Sequence, residues 1–326
     1  MIGQFEKFCV VGLGGHAKTK LIPALLDNGQ EIAGFVSSQD TSGLSSAPCF
    51  SRLEDALAGL PPGTVFVVAT PPAVHFHHSR PVLLAGRDLI LEKPAFINAA
   101  ESREAAAMAA HAGCVLVEAF MHRHTRLHGR LLAFWATERE RITGLRIDFV
   151  IPEIPDGTFR QGANVGSSAL YDIGCYPLSL LADLGLPLDG LDISGFDFPG
   201  RPNKEAVQLA GRLDGIAVES TVGVGPAYAN IVVVTLDNGL ETRFTPFFFG
   251  RAADRSISRG SDVETLYDEN AYQKMFAIPR AEWLANQPGR MASMVQVTSQ
   301  LEALGAQLVA QRRKRLGSAQ IPPRTT

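Results

Sequence analysis

The first third of the chain alternates short apolar runs with stretches of helical periodicity. Residues 64–69 are apolar at every position after the first and rich in valine, as in a strand buried on both faces. The same pattern predicts strands over 8–11, 31–37, 64–69, 88–91 and 115–118, and helices over 18–28, 53–57, 74–85 and 99–111. Strands that alternate with helices at this spacing predict a parallel, doubly wound α/β sheet.

The pattern changes after about residue 120, where longer strand candidates follow one another without helices between them. These strands are predicted over 144–151, 206–213, 216–222, 230–237 and 240–247. Asn238-Gly239 separates the last two and predicts a tight hairpin, because both residues tolerate positive φ angles. With helices predicted at 168–184 and 291–314, the second part is expected to be an α+β domain with a largely antiparallel open sheet.

Composition narrows the class of protein without naming a partner. The 326 residues suffice for two domains, and 46% hydrophobic against 19% charged residues indicates a globular chain. A net charge of −3 gives no electrostatic reason to expect nucleic acid or an anionic membrane as a partner. The N-terminus lacks the pattern of a signal peptide, and no stretch reaches the roughly 18 apolar residues of a membrane helix. A cytoplasmic location is therefore expected.

The four cysteines have no paired spacing. They are interpreted as small buried hydrophobic residues in a reducing compartment, with neither a disulfide framework nor a zinc site. Three histidines, His122, His124 and His128, suggest a metal site, but no cysteine or carboxylate pattern accompanies them. No metal is therefore predicted.

A glycine-rich segment lies directly between the first predicted strand and the first predicted helix: Gly12-Leu13-Gly14-Gly15-His16-Ala17. Glycines at such a turn let the backbone approach a pyrophosphate, whose charge is stabilised by the N–H groups and dipole of the helix N-terminus. The strand before and the helix after the segment favour dinucleotide binding over a purely structural turn. Residues 1–120 are thus predicted to be a Rossmann domain, and 121–326 a substrate-binding and oligomerisation domain whose last helix packs back on the first.

The second predicted strand ends at Ser37 and Ser38, without an acidic residue at its tip. An acidic side chain there would bind the ribose 2′-hydroxyl of NAD and repel the 2′-phosphate of NADP. Two serines remove that repulsion but supply no arginine for the phosphate. NADP is favoured over NAD.

Four further segments follow one another along the chain, three of them at predicted strand ends. They are Ala69-Thr70-Pro71-Pro72 with His75, Glu92-Lys93-Pro94, Glu118-Ala119-Phe120-Met121 with Arg123, and the run from Gly166-Ser167-Ser168 to Asp172-Ile173-Gly174-Cys175-Tyr176-Pro177. In this order they resemble the motifs of the glucose-fructose oxidoreductase, inositol dehydrogenase and rhizopine-catabolism (Gfo/Idh/MocA) family. The resemblance covers about residues 8–180 and is only architectural beyond them. It implies cofactor contacts by the glycine segment, Ser37, Ser38, Thr70, Pro71, His75, Glu92 and Lys93. Arg123 and Arg160 both flank motif segments, and each is a candidate for a contact with substrate or cofactor.

The last of these motifs departs from the commonest family pattern, since Tyr176 stands where a histidine is usual. A tyrosine there is similar to the glucose-fructose oxidoreductase, dihydrodiol dehydrogenase and xylose dehydrogenase branch. A free phenol, with a pKa of about 10, is a weak base, but a nearby ammonium such as that of Lys93 stabilises its phenolate. Asp172 lies four residues before Tyr176, so on a helix both share one face, and it can orient Lys93. The resemblance also implies a cis bond before Pro94.

These residues predict an NAD(P)-dependent oxidoreductase. The expected reaction moves a hydride between nicotinamide and a secondary hydroxyl or ketone of a sugar, sugar derivative or cyclic polyol, with Lys93, Tyr176 and Asp172 as the catalytic group. Two alternatives remain open: a dinucleotide-binding regulator without turnover, and a dehydrogenase of aromatic dihydrodiols. The resemblance implies a homo-oligomer, either a dimer or a tetramer. The run Phe247-Phe248-Phe249 is interpreted as core or subunit interface.

Overall fold

The computed structural model describes residues 7–152, 168–197, 205–225 and 227–316. Its first sheet has six strands in the order β3-β2-β1-β4-β5-β6, and every neighbouring pair is parallel. The strands are β1 (Lys7–Val11), β2 (Glu31–Val36), β3 (Cys49–Phe50), β4 (Val65–Val68), β5 (Leu89–Leu91) and β6 (Leu116–Glu118). This order, which reverses between β1 and β4, is that of the doubly wound dinucleotide-binding fold. The predicted parallel sheet is confirmed.

Helices cover this sheet and begin close to the predicted positions: α1 (Ile22–Asp27), α2 (Leu53–Gly59), α3 (His75–Leu84) and α4 (Ala99–Ala112). The first predicted helix begins instead with π-helical turns over Ala17–Leu21, in which the N–H of Ile22 reaches back to the carbonyl of Ala17. Pro23 follows and has no N–H to donate to the preceding turn. The widened turn therefore stands directly after the glycine segment, and such turns are frequent at functional sites.

The second sheet has eight strands in the order β14-β13-β12-β11-β7-β10-β9-β8. All neighbours are antiparallel except β7 and β10. The strands are β7 (Ile142–Ile151), β8 (Leu191–Asp197), β9 (Ala206–Leu213), β10 (Ile216–Val224), β11 (Ala229–Leu236), β12 (Glu241–Thr245), β13 (Ala253–Arg259) and β14 (Asp262–Asp268). The predicted largely antiparallel sheet is confirmed, and so is the hairpin at Asn238-Gly239, where Gly239 has a φ of 78°.

Among the described residues, the second part has five α-helices: α5 (Arg126–Glu138), α6 (Ala169–Asp172), α7 (Cys175–Asp183), α8 (Ala271–Phe276) and α9 (Arg280–Leu316). Helix α9 starts eleven residues before its predicted start. The prediction missed its first turns because they are polar and contain Pro288. The side-chain amide of Gln287 bonds the backbone of Cys114 and Leu116 in the first sheet, and Gln300 donates to the carbonyl of Leu191 in the second. Helix α9 thus contacts both sheets.

The cysteines differ from one another in their surroundings. All four are free, and Cys9, Cys114 and Cys175 are buried, as the sequence suggested. Cys49 is exposed, so the interpretation of all four as buried residues is wrong for this one, because β3 is a two-residue edge strand with an open face. Among the described residues, no helix combines the length and the hydropathy needed to cross a bilayer.

Candidate active site

The glycine segment leaves β1 and approaches the end of β4. Gly12 has a φ of 90°, and a β-carbon built on it would lie 2.7 Å from Cγ2 of Thr70. Gly14 and Gly15 are different, since a β-carbon on either would meet nothing within 4 Å. The loop therefore presents bare backbone to open space at the start of a helix, where N–H groups lack partners within the helix. This arrangement fits the pyrophosphate of a dinucleotide.

The end of β2, where an adenosine ribose binds in this fold, carries more charge than the sequence suggested. The hydroxyl of Ser37 accepts a hydrogen bond from the N–H of Gln39, and Ser38 is exposed. The Nζ of Lys18, from the first turn after the glycine segment, donates to Oε1 of Gln39 at 2.8 Å. Asp40 lies close by, and its carboxylate accepts from the N–H and hydroxyl of Ser42, which lowers its pKa. A cation thus stands beside the two serines.

Lys93 and Asp172 meet although they are 79 residues apart. The Nζ of Lys93 donates to Oδ1 and to the backbone carbonyl of Asp172, both at 2.8 Å. The two side chains are only 11% and 7% exposed, so the pair is shielded from water. The peptide bond between Lys93 and Pro94 is cis. The ammonium is therefore fixed at the carboxyl end of β5, where ligands bind in open α/β sheets.

Tyr176 lies beside this pair. The Nζ of Lys93 is 4.8 Å from the centre of the Tyr176 ring, which is buried. The ring packs against Phe120, Phe149 and Phe248, with centroids 5.7, 5.2 and 5.5 Å away. Of the phenylalanine run, predicted to be core or interface, Phe247 and Phe248 are core and Phe249 is partly buried; Phe248 packs against the tyrosine. The structure brings the three predicted catalytic residues together.

The predicted helix over 168–184 is two helices, and the break lies between Asp172 and Tyr176. A β-carbon on Gly174 would come within 2.4 Å of the carbonyl of Leu170, so the chain can bend there only with glycine. The carbonyl of Asp172 lies next to this break, where it accepts a hydrogen bond from Lys93. Asp172 and Tyr176, two of the candidate catalytic residues, are brought together through this bend rather than by four-residue spacing in one helix.

Glu92 joins the glycine segment to Lys93. It is buried, and its Oε1 accepts a bond from Nε2 of His16 at 3.1 Å, while its Oε2 accepts from the backbone N–H of Lys93 at 3.2 Å. Burial raises the pKa of Glu92, but the neighbouring His16 and Lys93 outweigh it, so that the pKa lies below its usual range. A carboxylate therefore connects the glycine segment with Lys93.

Two buried groups support the turn that follows Lys93. Glu118 accepts a bond from the N–H of Ala95 at 2.7 Å, and burial raises its pKa to about 7. His75 is fully buried, with Nε2 2.7 Å from the carbonyl of Thr70 and Nδ1 3.0 Å from that of Ala95. His75 thus links the backbone that follows β4 to the backbone that follows β5. Its cofactor contact stays a prediction. Sequence reasoning did not assign the role of Glu118, although its place at the end of the next strand was a signal.

Arg123 is 6% exposed and paired with Asp183, to which its Nη2 and Nε donate at 2.8 and 2.9 Å. Its substrate contact also stays a prediction, and Arg160, Gly166 and Ser167 lie outside the described residues.

His128 donates to the carboxylate of Asp183 at 3.2 Å, and His122 completes a group whose ligand atoms lie within 4.8 Å of one another. The sequence showed no carboxylate near these histidines, whereas the fold supplies Asp183. Burial raises the pKa of Asp183, but Arg123 and His128 together lower it. The guanidinium of Arg123 therefore already neutralises the carboxylate charge that would otherwise attract a metal ion.

Comparison with known proteins agrees with this geometry. Residues 7–120 match the family model described as "Oxidoreductase family, NAD-binding Rossmann fold" (GFO_IDH_MocA). Over these residues the chain is similar to the Gfo/Idh/MocA oxidoreductase family. The match ends just after β6, and Tyr176, the candidate catalytic tyrosine, lies beyond it.

The curated proteins to which this chain is similar include sugar enzymes. It is 32% identical over 179 residues to dTDP-3,4-didehydro-2,6-dideoxy-alpha-D-glucose 3-reductase of Streptomyces antibioticus, covering 53% of this chain and 54% of the relative. It is 25% identical over 180 residues to D-xylose 1-dehydrogenase (NADP(+)) 2 of Haloferax volcanii, covering 53% and 55%. The chain therefore spans about half the length of the curated relatives it matches.

Solved structures extend the likeness in fold to both sheets. The 3-ketoreductase KijD10 of Actinomadura kijaniata, in complex with NADP and TDP-benzene, superposes with a TM-score of 0.76 at 21% identity, covering 92% of this chain and 97% of KijD10. An aldose-aldose oxidoreductase of Caulobacter crescentus gives a TM-score of 0.74 at 16% identity, covering 96% and 98%. At such identities the likeness concerns the fold alone.

Proposed function

We propose that this protein is an NADP-dependent oxidoreductase that moves a hydride between nicotinamide and a secondary hydroxyl or ketone of a sugar or sugar derivative. The observation that carries the proposal is the buried group of Lys93, Asp172 and Tyr176 beside an open glycine segment. A pure dinucleotide sensor needs the glycine segment but has no use for a fixed ammonium next to a phenol. Residues 1–120 hold the cofactor in this proposal, and residues 121–326 supply the substrate side.

The roles of the side chains follow from their contacts. NADPH, when bound, supplies the hydride. Tyr176 donates its hydroxyl proton to the oxygen of the carbonyl being reduced, and takes it back in the oxidative direction. Lys93, held by Asp172, keeps a positive charge beside the oxygen on which negative charge develops. Because both partners are shielded from water, this charge acts more strongly than it would on the surface.

The preference for NADP rests on the end of β2. Ser37 and Ser38 put no carboxylate at the strand tip, and Lys18 holds an ammonium beside them through Gln39. A lysine is a suitable partner for a phosphate, which it contacts as a point charge. Two relatives point the same way, since one is named for NADP(+) and KijD10 was solved with NADP.

The chain's relatives suggest two kinds of substrate within the sugar class. One kind is a keto sugar carried on a nucleotide, as in the Streptomyces antibioticus reductase, and the other is a free aldose, as in the Haloferax volcanii dehydrogenase. Both present a secondary hydroxyl or a carbonyl with further hydroxyl groups around it. Cyclic polyols and aromatic dihydrodiols also carry neighbouring hydroxyl groups, so they are included among the substrates tested.

The test is fluorescence titration of the purified protein with NADPH and NADH, followed by turnover on keto sugars linked to dTDP, free aldoses, cyclic polyols and dihydrodiols. Tyr176→Phe is expected to bind NADPH normally and to lose at least a hundredfold in kcat, because it lacks the proton. Tyr171→Phe is the matched control, since this tyrosine is buried in the same segment and its hydroxyl donates to the carbonyl of Ile97. Turnover that survives in Tyr176→Phe contradicts the mechanism, and NADPH binding without turnover on every substrate favours the sensor.

We also propose that the protein is a homo-oligomer, a dimer or tetramer, that associates through the second sheet. Alternate side chains of this sheet, such as Arg146, Glu219 and Arg243, are exposed on the side away from the core. Light scattering coupled to size-exclusion chromatography measures the assembly. A monomer at micromolar concentration contradicts this part of the proposal.

A further inference from the structure

Tyr272 reaches the candidate active site from a part of the chain that contains none of the family motifs. It is the second residue of α8, and the side chain of Asn270 caps that helix by accepting from the Tyr272 N–H at 3.0 Å. Two hydrogen bonds connect the helix to its surroundings. The backbone N–H of Ala271 donates to the carbonyl of Gly250, and the side-chain amide of Asn28 donates to the carbonyl of Gln273. The position of Tyr272 is therefore set by contacts with both halves of the molecule.

The ring of Tyr272 lies on the glycine segment. Its centroid is 5.5 Å from that of His16, in an edge-to-face arrangement, and only 7% of the residue is exposed. A β-carbon on Gly250 would come within 2.5 Å of its Cε2, so glycine is needed there to admit the ring. His16 in turn bonds Glu92, which bonds the N–H of Lys93. Tyr272 thus borders the space between the cofactor loop and the catalytic lysine.

The hydroxyl of Tyr272 has no hydrogen-bond partner among the residues that the structure describes. The hydroxyl is also not one of the buried polar atoms that lack a partner among the described residues, so it lies where solvent or a ligand can reach it. Burial raises the pKa of Tyr272 well above its ordinary value, and nearby Tyr176 and Glu92 raise it further. The hydroxyl is therefore neutral at physiological pH and available as a donor.

We propose that Tyr272 donates a hydrogen bond to a substrate oxygen on a carbon next to the reacting one, and so selects sugars over their deoxy analogues. The inference rests on the proposed function, in which Tyr176 and Lys93 already serve the reacting oxygen. The substrate is a better partner than the cofactor because Tyr272 comes from the second half of the chain, whereas the cofactor loops all leave the first sheet. Its chemical class is a vicinal diol or an α-hydroxy ketone.

The experiment compares wild type with Tyr272→Phe on pairs of sugars that differ by one hydroxyl next to the reacting carbon. D-glucose and 2-deoxy-D-glucose form the first pair, and every other sugar that wild type turns over is paired in the same way. Tyr267→Phe is the control, because this side chain is 55% exposed and remote from the motif residues. NADPH affinity and thermal unfolding are measured for each variant.

Tyr272→Phe is expected to lose about tenfold in kcat/KM on the hydroxylated sugar and to change little on the deoxy sugar, as for loss of one hydrogen bond. NADPH affinity should stay within about twofold of wild type, and Tyr267→Phe should behave as wild type. Equal losses on both sugars, or weaker NADPH binding with an unchanged KM for sugar, overturn the proposal. Activity in wild type that disappears in Tyr176→Phe upholds the proposed function whichever way Tyr272→Phe behaves, whereas a wild type inactive on every substrate refutes both.

Discussion

The ion pair of Lys93 and Asp172 allows a sharp test, because its effects on stability and on catalysis separate. Asp172→Asn keeps the shape of the side chain and an oxygen for Nζ of Lys93, but it removes the charge that balances a buried ammonium. Both side chains are about nine-tenths buried and 2.8 Å apart, so screening by solvent is weak. Removing one partner of such a pair costs about 3 kcal/mol or somewhat more.

We therefore expect Asp172→Asn to lower the free energy of unfolding by about 3 kcal/mol and turnover by about a hundredfold. The double variant Lys93→Met with Asp172→Asn removes both charges, and its stability should return to within about 1 kcal/mol of wild type. Its activity should not return, because no ammonium remains beside Tyr176. Its turnover should match that of Lys93→Met alone if Asp172 acts only through the lysine.

Urea unfolding followed by circular dichroism gives the stabilities, and steady-state turnover with NADPH gives the rates. The control is Glu264→Gln, whose partner Arg130 is half exposed, and its stability should stay close to that of wild type because water screens an exposed pair. The reasoning is refuted if the double variant loses the sum of the two single losses in stability, since the charges would then act independently. It is also refuted if the double variant is far less active than Lys93→Met.

Two further predictions concern Glu118 and Lys18. Because burial raises the pKa of Glu118 to about 7, folding binds a proton there between its ordinary pKa and pH 7, so stability should fall as pH rises through this window. Urea unfolding from pH 4.5 to 8 should show about 3 kcal/mol more loss for wild type than for Glu118→Gln, and parallel profiles would contradict this assignment. Lys18→Ala should weaken NADPH binding about tenfold and leave NADH binding unchanged, because only NADPH carries the phosphate that Lys18 is proposed to meet. Fluorescence titration measures both, and equal losses for the two cofactors would exclude Lys18 as the selective residue.

Much of the first sheet could be predicted from the sequence, because its buried positions form short continuous runs of neighbouring residues. Strand 65–68 is buried at every position, and each helix that follows a strand has its own periodic pattern. The glycine segment was readable too, since a chain that needs a φ of 90° at Gly12 selects glycine there. The order of the motifs then predicted which side chains meet.

Two strands at one end of the second sheet, β13 and β14, were missed for the opposite reason. Strand β14 is exposed at most of its positions and β13 is only partly buried, so neither shows the alternation that marks a half-buried strand. They are held by hydrogen bonds to neighbouring strands rather than by a buried face of their own. The predicted single helix at 168–184 failed because the bend depends on a close approach between Gly174 and Leu170.

The amino-acid sequence by itself determined the class of fold, the cofactor loop and the identity of the three candidate catalytic residues, because each is encoded in a run of neighbouring residues. Only the tertiary structure decided which distant groups surround them. Asp183 joins the histidines, Lys18 reaches the end of β2, and Tyr272 lies against His16, each across a separation that no local pattern records. Periodicity reports whether a residue is buried, but which groups share that burial depends on how the two sheets and helix α9 pack together.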